Sequence, residues 1–209
     1  MQPDFEMEKL ARAAGALRVA GVDEVGRGPL AGPVTAAAVV LNPDDIPEGL
    51  NDSKQLSIKR RSVLAEVLTN CAEVSVGHAS VEEIEQMNIL RASHVAMQRA
   101  ISGLRELPDM VLIDGSMVPR GLNLPAQAVP KGDTRCLSIA AASIVAKIAR
   151  DRIMVDLAQQ HPGYGWETNM GYGSKSHISA LQNLGVTPHH RRTFKPVHNM
   201  LYQGKNVKS

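Results

Sequence analysis

The chain has 209 residues, of which 44% are hydrophobic and 3% aromatic, so it can form one domain with a core of Ala, Val, Ile, Leu and Met. Its two cysteines lie far apart, its first residues carry no signal-peptide pattern, and no apolar run could cross a bilayer. These features exclude a disulfide framework, a paired-cysteine metal site and a membrane protein, and we expect a monomer in the cytoplasm.

The first predicted elements are a helix and two strands. Residues 1–17 form an amphipathic pattern that indicates a short helix or a frayed lead-in. Residues 18–25 and 32–41 are rich in small and β-branched residues and predict buried strands. Because the turn between them is short, the two strands are expected to be antiparallel neighbours.

The middle of the chain alternates helix and strand. Ser57 is expected to cap a helix that runs to about residue 70, and alternating apolar residues predict a strand over 72–79. Ser80 and Glu83 have the spacing of a capping box, which predicts a short helix over 81–87.

The remaining elements are predicted from apolar runs of different length. A helical stripe covers residues 89–104, and two apolar strands are expected over 110–115 and 126–129. Helices are expected over 137–160 and 174–184. Strands and helices therefore alternate in part, which predicts an α/β fold with a mixed sheet covered by helices on both faces.

The long helix at 137–160 has an apolar face, with Lys147, Arg150 and Asp151 expected on or near the opposite side. Ser143 and Lys147 are four residues apart and could form a Ser–Lys catalytic dyad. The simpler interpretation is that the Ser143 hydroxyl bonds its own helix backbone.

Four carboxylates follow apolar strands or a Lys-Gly turn: Asp23, Glu24, Asp114 and Asp133. Ligand sites collect at strand ends in such sheets, and oxygen-rich clusters suit Mg²⁺ or Mn²⁺, which can act in phosphodiester hydrolysis. The alternative is that these are ordinary surface residues that cap helices.

One physical objection concerns Asp23 and Glu24. Consecutive strand residues point to opposite faces of a sheet, so both can line one pocket only where the strand ends or bulges. The glycines at 26 and 28 make such an interruption plausible.

The basic residues are unevenly distributed. Residues 168–209 contain six Lys or Arg, four His and no Asp or Glu, although the whole chain has a formal net charge of only +2. This asymmetry predicts that a polyanion lies across the C-terminal segment, and the alternative is a solvated basic tail. The tract at 189–192 could bind a metal, but a phosphate-contacting patch is the favoured interpretation.

Seven sequence motifs resemble those of the ribonuclease HII family, the prokaryotic type 2 ribonucleases H. They are VAGVDEVGRGPLAGPV (19–34), NDSKQLS (51–57), VLIDG (111–115), KGD (131–133), IAAASIVAKIARDR (139–152), GYGSKSH (171–177) and HHRRTFKPV (189–197). They span the chain from about residue 18 to residue 197.

The resemblance implies a ribonuclease H-like mixed five-stranded sheet flanked by helices. The whole chain, 1–209, would be a single catalytic domain, with a core at about 18–160 and a basic C-terminal helical segment at about 161–209. The implied activity is hydrolysis of the RNA strand of RNA–DNA hybrids and cutting at single ribonucleotides in duplex DNA. The implied mechanism uses two metal ions, Mn²⁺ or Mg²⁺, and leaves 5′-phosphate and 3′-hydroxyl ends.

The resemblance also assigns roles to individual residues. Asp23, Glu24 and Asp114 match the metal-binding carboxylates, and Asp133 matches a fourth catalytic acid. The remaining matches imply substrate contacts: Gly26, Arg27 and Gly28 at the ribose 2′-hydroxyl, Tyr172 stacked on the following sugar, and Lys54, Arg191 and Arg192 at phosphates.

Two other functions remain possible at this point. A general nuclease or strand transferase on the same fold would cut DNA that contains no ribonucleotide. A non-catalytic module would bind the hybrid without metal-dependent turnover.

Overall fold

The computed structural model describes residues 2–202, and within this range the chain forms one mixed sheet of five strands in the order β3-β2-β1-β4-β5. The strands are β1 Val19–Val25, β2 Val34–Val40, β3 Glu73–Ala79, β4 Met110–Asp114 and β5 Ala126–Val129. Each strand lies within one or two residues of its predicted bounds, and the predicted fold class is confirmed.

Strand direction brings two acidic strand ends together. β1 is antiparallel to β2, as predicted from their short turn, and β2 is antiparallel to β3. β4 is parallel to β1, with Val22 opposite Ile113, and β5 is parallel to β4. The carboxyl ends of β1 and β4 therefore meet at one edge of the sheet, where Asp23 and Asp114 follow the last paired residues.

The helices cover both faces of this sheet. They are α1 Glu6–Ala13, α2 Ile58–Cys71, α3 Val81–Met87, α4 Ile89–Ser102, α5 Leu137–Gln160, α6 Trp166–Asn169, α7 Lys175–Leu184 and α8 Lys195–Tyr202. Ser57 caps α2, and Ser80 with Glu83 forms the predicted capping box of α3. The short helix α6 and the terminal helix α8 lie in the C-terminal segment that the resemblance implies to be helical, although no local pattern gave their bounds.

Two apolar cores separate the sheet from the helices. On one face, Ala36 and Ala38 pack with Ala96 and Ala100 of α4. On the other, Ala37 packs with the apolar side of α5 and with α2. Small residues let α5 come close to the sheet: a Cβ atom at Gly21 would overlap the backbone of Ser138 and Ile139.

The last part of the chain shares a third core with α5. Met154 and Leu157 of α5 pack there with Trp166, Leu181 and Val197. None of the helices in the described part of the chain combines the length and the apolar character that a membrane span requires.

The predicted polar side of α5 needs one correction, because Arg150 is fully buried. Its guanidinium donates hydrogen bonds to the carbonyl oxygens of Ala31, Pro33 and Met170 at 2.9–3.1 Å. Lys147 and Asp151 do pair with each other, 2.8 Å apart. Arg150 was expected on the polar side because it follows the same helical spacing, but loop carbonyls supply its partners inside the protein.

Candidate active site

Three carboxylates converge at the carboxyl edge of the sheet. Asp23 lies near the end of β1, Asp114 ends β4, and Asp133 lies in a short 3-10 turn, Gly132–Thr134, after β5. One oxygen from each carboxylate lies within 4.8 Å of the others. The Gly132 amide donates to Oδ1 of Asp114 at 2.6 Å, which ties this turn to the end of β4.

Glu24 points to the other face of the sheet. The pairing of β1 with β2 is continuous through Asp23, Glu24 and Val25, so no bulge interrupts the alternation of side chains. Asp23 therefore shares the α5 side with Gly21, whereas Glu24 lines a cavity of about 160 Å³ together with Ser93 of α4 and Asp114. Asp114 borders both groups, because the strand ends at that residue.

Burial and mutual repulsion make this cluster unfavourable when all its members are charged. Asp23 is 8% exposed, and burial followed by repulsion from Glu24, Asp114 and Asp133 raises its pKa well above the usual value. Burial raises the pKa of Glu24, although the Arg27 guanidinium opposes the shift. Burial, then repulsion from Asp114, raises the pKa of Asp133 as well.

These carboxylates fit a hard divalent cation. Every candidate metal-ligand atom in the cluster is a carboxylate oxygen, which is the type of ligand that Mg²⁺ and Mn²⁺ prefer. A bound cation would also favour the charged forms that burial and repulsion oppose.

Lys54 lies near the cluster on a short 3-10 turn, Ser53–Gln55. Burial alone would lower its pKa, but the carboxylates of Asp52, Asp133 and Asp23 raise the pKa above its ordinary value. The ammonium group therefore stays charged, exposed and close to the acidic edge. The same turn is anchored by Ser143, whose hydroxyl accepts from the Ser53 amide at 3.2 Å.

The arrangement around Ser143 does not resemble a catalytic dyad. Its hydroxyl donates to the carbonyl of Ala140 at 2.8 Å, as expected for a serine inside a helix. Lys147 is paired with Asp151. Each side chain of the possible dyad is thus engaged elsewhere.

The glycine turn after β1 stands beside the carboxylates. Arg27 and Gly28 are exposed, and a guanidinium nitrogen of Arg27 lies 3.1 Å from Oε1 of Glu24. Gly26 has φ +92°, and a Cβ atom there would overlap the side chain of Arg150. The turn therefore needs glycine at this position both for its backbone conformation and for the close approach of the buried arginine.

Arg191 was expected to contact a phosphate, and this expectation is wrong because its side chain is 0% exposed. Its guanidinium donates to the carbonyl oxygens of Gly26, Arg27 and Gly32 at 2.6–3.0 Å. It supports the glycine turn from inside the protein.

Arg150 supports the same turn from a second direction. Within residues 2–202, neither Arg150 nor Arg191 lies within salt-bridge distance of a carboxylate. Burial lowers the pKa of Arg150 to about 10 and, with repulsion from Arg150, that of Arg191 to about 9. Both remain charged at neutral pH, and backbone carbonyls take the place of counter-ions.

Tyr172 lies across the glycine turn. Its side chain is 46% exposed, and a Cβ atom added to Gly28 would lie 3.5 Å from its Cε1 atom. An exposed aromatic ring, an exposed glycine and the carboxylates thus border one surface, which could hold a sugar and its neighbouring phosphate.

The basic tract at 189–192 divides into buried and exposed residues. His190 and Arg191 are fully buried, whereas Arg192 is exposed. Burial and the neighbouring His177 lower the pKa of His190 to about 3, so it is neutral. Of the residues in this tract predicted to hold phosphates, Arg192 is in a position to do so. Residues 203–209, the end of the predicted basic C-terminal segment, lie outside the described residues.

Comparison with known proteins gives consistent matches. A sequence model of the ribonuclease HII family matches residues 20–197. A ribonuclease HII from Roseobacter denitrificans is 82% identical over 196 residues, which cover 94% of this chain and 99% of the relative.

Solved structures share the fold. Ribonuclease H2 from Pyrococcus horikoshii OT3 is 27% identical with a TM-score of 0.75, and the match covers 91% of this chain and 100% of that one. Bst-RNase HIII in complex with Mn²⁺ has a TM-score of 0.71 over 93% of this chain and 72% of its own, but at 18% identity the likeness is one of fold alone.

Proposed function

Because the chain belongs to the ribonuclease HII family and is a ribonuclease H enzyme, we propose that it cuts both long RNA–DNA hybrids and single ribonucleotides embedded in duplex DNA. The products would carry 5′-phosphate and 3′-hydroxyl ends. The observation that carries this proposal is the placement of three convergent carboxylates beside an exposed glycine turn and Tyr172. One surface thereby combines groups for hydrolysis with groups for reading a sugar.

The family depends on divalent metal ions, and the acidic cluster supplies suitable ligands. We assign Asp23, Asp114 and Asp133 to one side of the site, and Glu24 to the other side of Asp114. Two Mn²⁺ or Mg²⁺ ions, when bound, would lower the pKa of a water and stabilise the leaving oxygen. Lys54, charged and near Asp133, would hold a phosphate at the same edge.

Selection of ribonucleotides is assigned to the glycine turn and Tyr172. Gly26, Arg27 and Gly28 would contact the ribose 2′-hydroxyl, because a turn without side chains lets the backbone approach a sugar closely. Tyr172 would stack on the following sugar, where a 2′-hydroxyl would collide with its ring. Arg192 would contact a phosphate, whereas Arg191 would act only through the turn that it supports.

We also propose that residues 1–209 form a single domain, active as a monomer in the cytoplasm. The third core supports the assignment of a single domain, because α5, which covers the sheet, packs directly on Trp166, Leu181 and Val197. The free thiols of Cys71 and Cys136 are consistent with a reducing compartment.

The decisive test uses a labelled DNA duplex with one ribonucleotide and an otherwise identical all-DNA duplex, each with Mn²⁺, Mg²⁺ or EDTA. We expect one metal-dependent cut at the ribonucleotide and none in the control. Cleavage of both duplexes would indicate a general nuclease. Binding without cleavage in either metal would indicate a non-catalytic hybrid-binding module.

A further inference from the structure

A buried hydrogen-bonded chain of side chains lies directly behind Tyr172. Trp166, His177 and His190 are each 0% exposed. Nδ1 of His177 lies 2.9 Å from the carbonyl oxygen of Tyr172, and Nε2 of His177 lies 3.0 Å from Nε1 of Trp166 and 3.1 Å from Nε2 of His190. Nδ1 of His190 accepts from the Thr187 amide at 3.0 Å.

These contacts determine where the protons lie. A carbonyl oxygen only accepts, so Nδ1 of His177 carries a proton and donates it to Tyr172. The indole N–H of Trp166 only donates, so Nε2 of His177 is an acceptor and this imidazole is neutral. His190 must then be protonated at Nε2, because its Nδ1 accepts from Thr187. Burial lowers the pKa of both histidines, in agreement with neutral rings.

The chain ends on the backbone of the residue that faces the substrate surface. The carbonyl of Tyr172 accepts from the Ser174 amide at 2.8 Å as well as from His177, and the Tyr172 amide donates to Asn169 at 2.9 Å. The Tyr172 ring itself is half-exposed beside Gly28. The position of this ring over the glycine turn therefore depends on how its backbone is held.

We propose that His177 is a positioning residue for Tyr172 and sets the enzyme's preference for the RNA-to-DNA junction. The inference rests on the proposed function, because it assumes that Tyr172 selects the sugar that follows the ribonucleotide. His177 does not touch the substrate. It holds the Tyr172 carbonyl through Nδ1, and its other nitrogen is held by Trp166 and His190.

Two amide variants distinguish the roles of the two imidazole nitrogens. His177→Gln places an amide near the Nε2 position, so it can still accept from Trp166 and His190 but loses the bond to Tyr172. His177→Asn places an amide near Nδ1, so it keeps the donor to Tyr172 but leaves two buried donors without an acceptor. The measured quantity is kcat/KM on a single-ribonucleotide duplex divided by kcat/KM on a long hybrid.

We expect His177→Gln to lower this ratio about fivefold, the effect of losing one hydrogen bond. His177→Asn should keep the ratio and instead lower the unfolding temperature. Fluorescence of Trp166, the single tryptophan of the chain, verifies in each variant that the segment remains packed. Equal ratios for the two variants would overturn the positioning role, since only the Gln variant breaks the bond to Tyr172.

A double-mutant cycle tests whether the effect passes through Tyr172. In a Tyr172→Ala background, His177→Gln should lower the ratio no further, because the ring that it positions is gone. If Tyr172→Ala lowers the ratio and His177→Gln does not, the positioning role fails and the proposed function stands. If Tyr172→Ala leaves the ratio unchanged, the selective role of Tyr172 fails, and the positioning role fails with it.

One measurement requires no substitution. Imidazole ¹⁵N chemical shifts of the wild-type protein report the tautomer of each histidine. We expect protonation at Nδ1 in His177 and at Nε2 in His190. A His177 protonated only at Nε2 could not donate to Tyr172 and would overturn the proposal.

Discussion

At the scale of single residues, Asp114 occupies the position where the two acidic groups meet. It shares the three-carboxylate cluster with Asp23 and Asp133, and it also lines the cavity that contains Glu24. Strand β4 ends at Asp114, and its carboxylate therefore borders both faces of the sheet. Loss of this side chain should affect both parts of the proposed metal site at once.

Replacing Asp114 with Asn should lower kcat by at least about 100-fold, because it removes a charged ligand but little contact area. Binding of an RNA–DNA hybrid, measured by fluorescence anisotropy, should change little. Asp44→Asn, at an exposed loop residue, is the matched control and should leave both quantities unchanged. Normal turnover by Asp114→Asn would show that the metal assignment is wrong.

The second prediction concerns Asp23 and the thermal stability of the protein without metal. Its pKa in the folded protein lies above the unfolded value of about 4, so the folded state binds this proton more tightly. The stabilisation is complete below the unfolded pKa and is lost as the pH rises through the folded pKa. Asp23→Asn removes this loss and should unfold at a higher temperature than wild type in EDTA at pH 7.

The difference in melting temperature between Asp23→Asn and wild type depends on pH. For a chain of this size, each kcal/mol of unfolding free energy that the substitution restores raises the melting temperature by roughly 2–4 °C. The two melting curves should converge below about pH 3, under the unfolded pKa, where Asp23 is protonated in both states. A lower melting temperature for Asp23→Asn at pH 7 would contradict the repulsion inferred for the cluster.

At the scale of elements, the glycine turn takes its shape from residues that come much later in the chain. The carbonyl of Gly26 accepts from Arg191, which precedes α8, and the carbonyl of Pro33, at the end of the same β1–β2 connection, accepts from Arg150 of α5. The turn between β1 and β2 is thus completed only when the C-terminal segment has packed on α5. The carboxylates proposed to be catalytic and the turn proposed to contact the sugar are held by different parts of the chain, so variants can separate their effects.

Arg191→Gln should lower the stability of the protein, whereas Arg192→Gln should weaken substrate binding. Arg191→Gln leaves buried carbonyls without donors and should lower the free energy of unfolding by about 3 kcal/mol. Arg192→Gln removes an exposed charge, so stability should change by less than about 0.5 kcal/mol while KM rises. Chemical denaturation and steady-state kinetics distinguish these effects. A stable Arg191→Gln protein with a raised KM would restore its role as a phosphate contact.

At the scale of the whole molecule, the first helix is joined to the start of the longest one. Glu8 of α1 is 1% exposed, and its Oε1 accepts from the amide and hydroxyl of Ser138 at 2.8 and 2.6 Å. Ser138 lies in the first turn of α5, where Cys136 provides no side-chain cap. A carboxylate from α1 therefore satisfies donors at the amino end of α5.

Glu8→Ala should lower the free energy of unfolding by about 1–3 kcal/mol, because buried donors of Ser138 lose their acceptor. Glu8→Gln keeps an acceptor oxygen at the same place and should have nearly wild-type stability. Burial raises the pKa of Glu8, so it opposes the charge that this substitution removes. Denaturant unfolding followed by far-UV circular dichroism measures both. Equal losses for the two variants would mean that the charge, rather than the hydrogen bonds, holds α1 in place.

Much of this architecture was predictable from local patterns. Short apolar and β-branched runs, and alternation at 72–79, located the five strands, and cap residues such as Ser57, Ser80 and Glu83 marked helix starts, because these signals depend on neighbours within a few positions. The positions of Asp23 and Asp114 at strand ends followed for the same reason. The strand interruption that the glycines at 26 and 28 made plausible is absent, so Asp23 and Glu24 face opposite sides of the sheet, as plain strand alternation requires.

Tertiary structure alone decided which ionisable residues are buried. Arg150, Arg191 and His190 look like surface residues in the sequence, because such side chains are mostly exposed. Each is buried because distant backbone or side-chain groups satisfy its hydrogen bonds, as the carbonyl of Gly26 does for Arg191, 165 residues later. Local sequence identifies the residues to which we assign the chemistry, whereas the partners that position them meet only when the chain has folded.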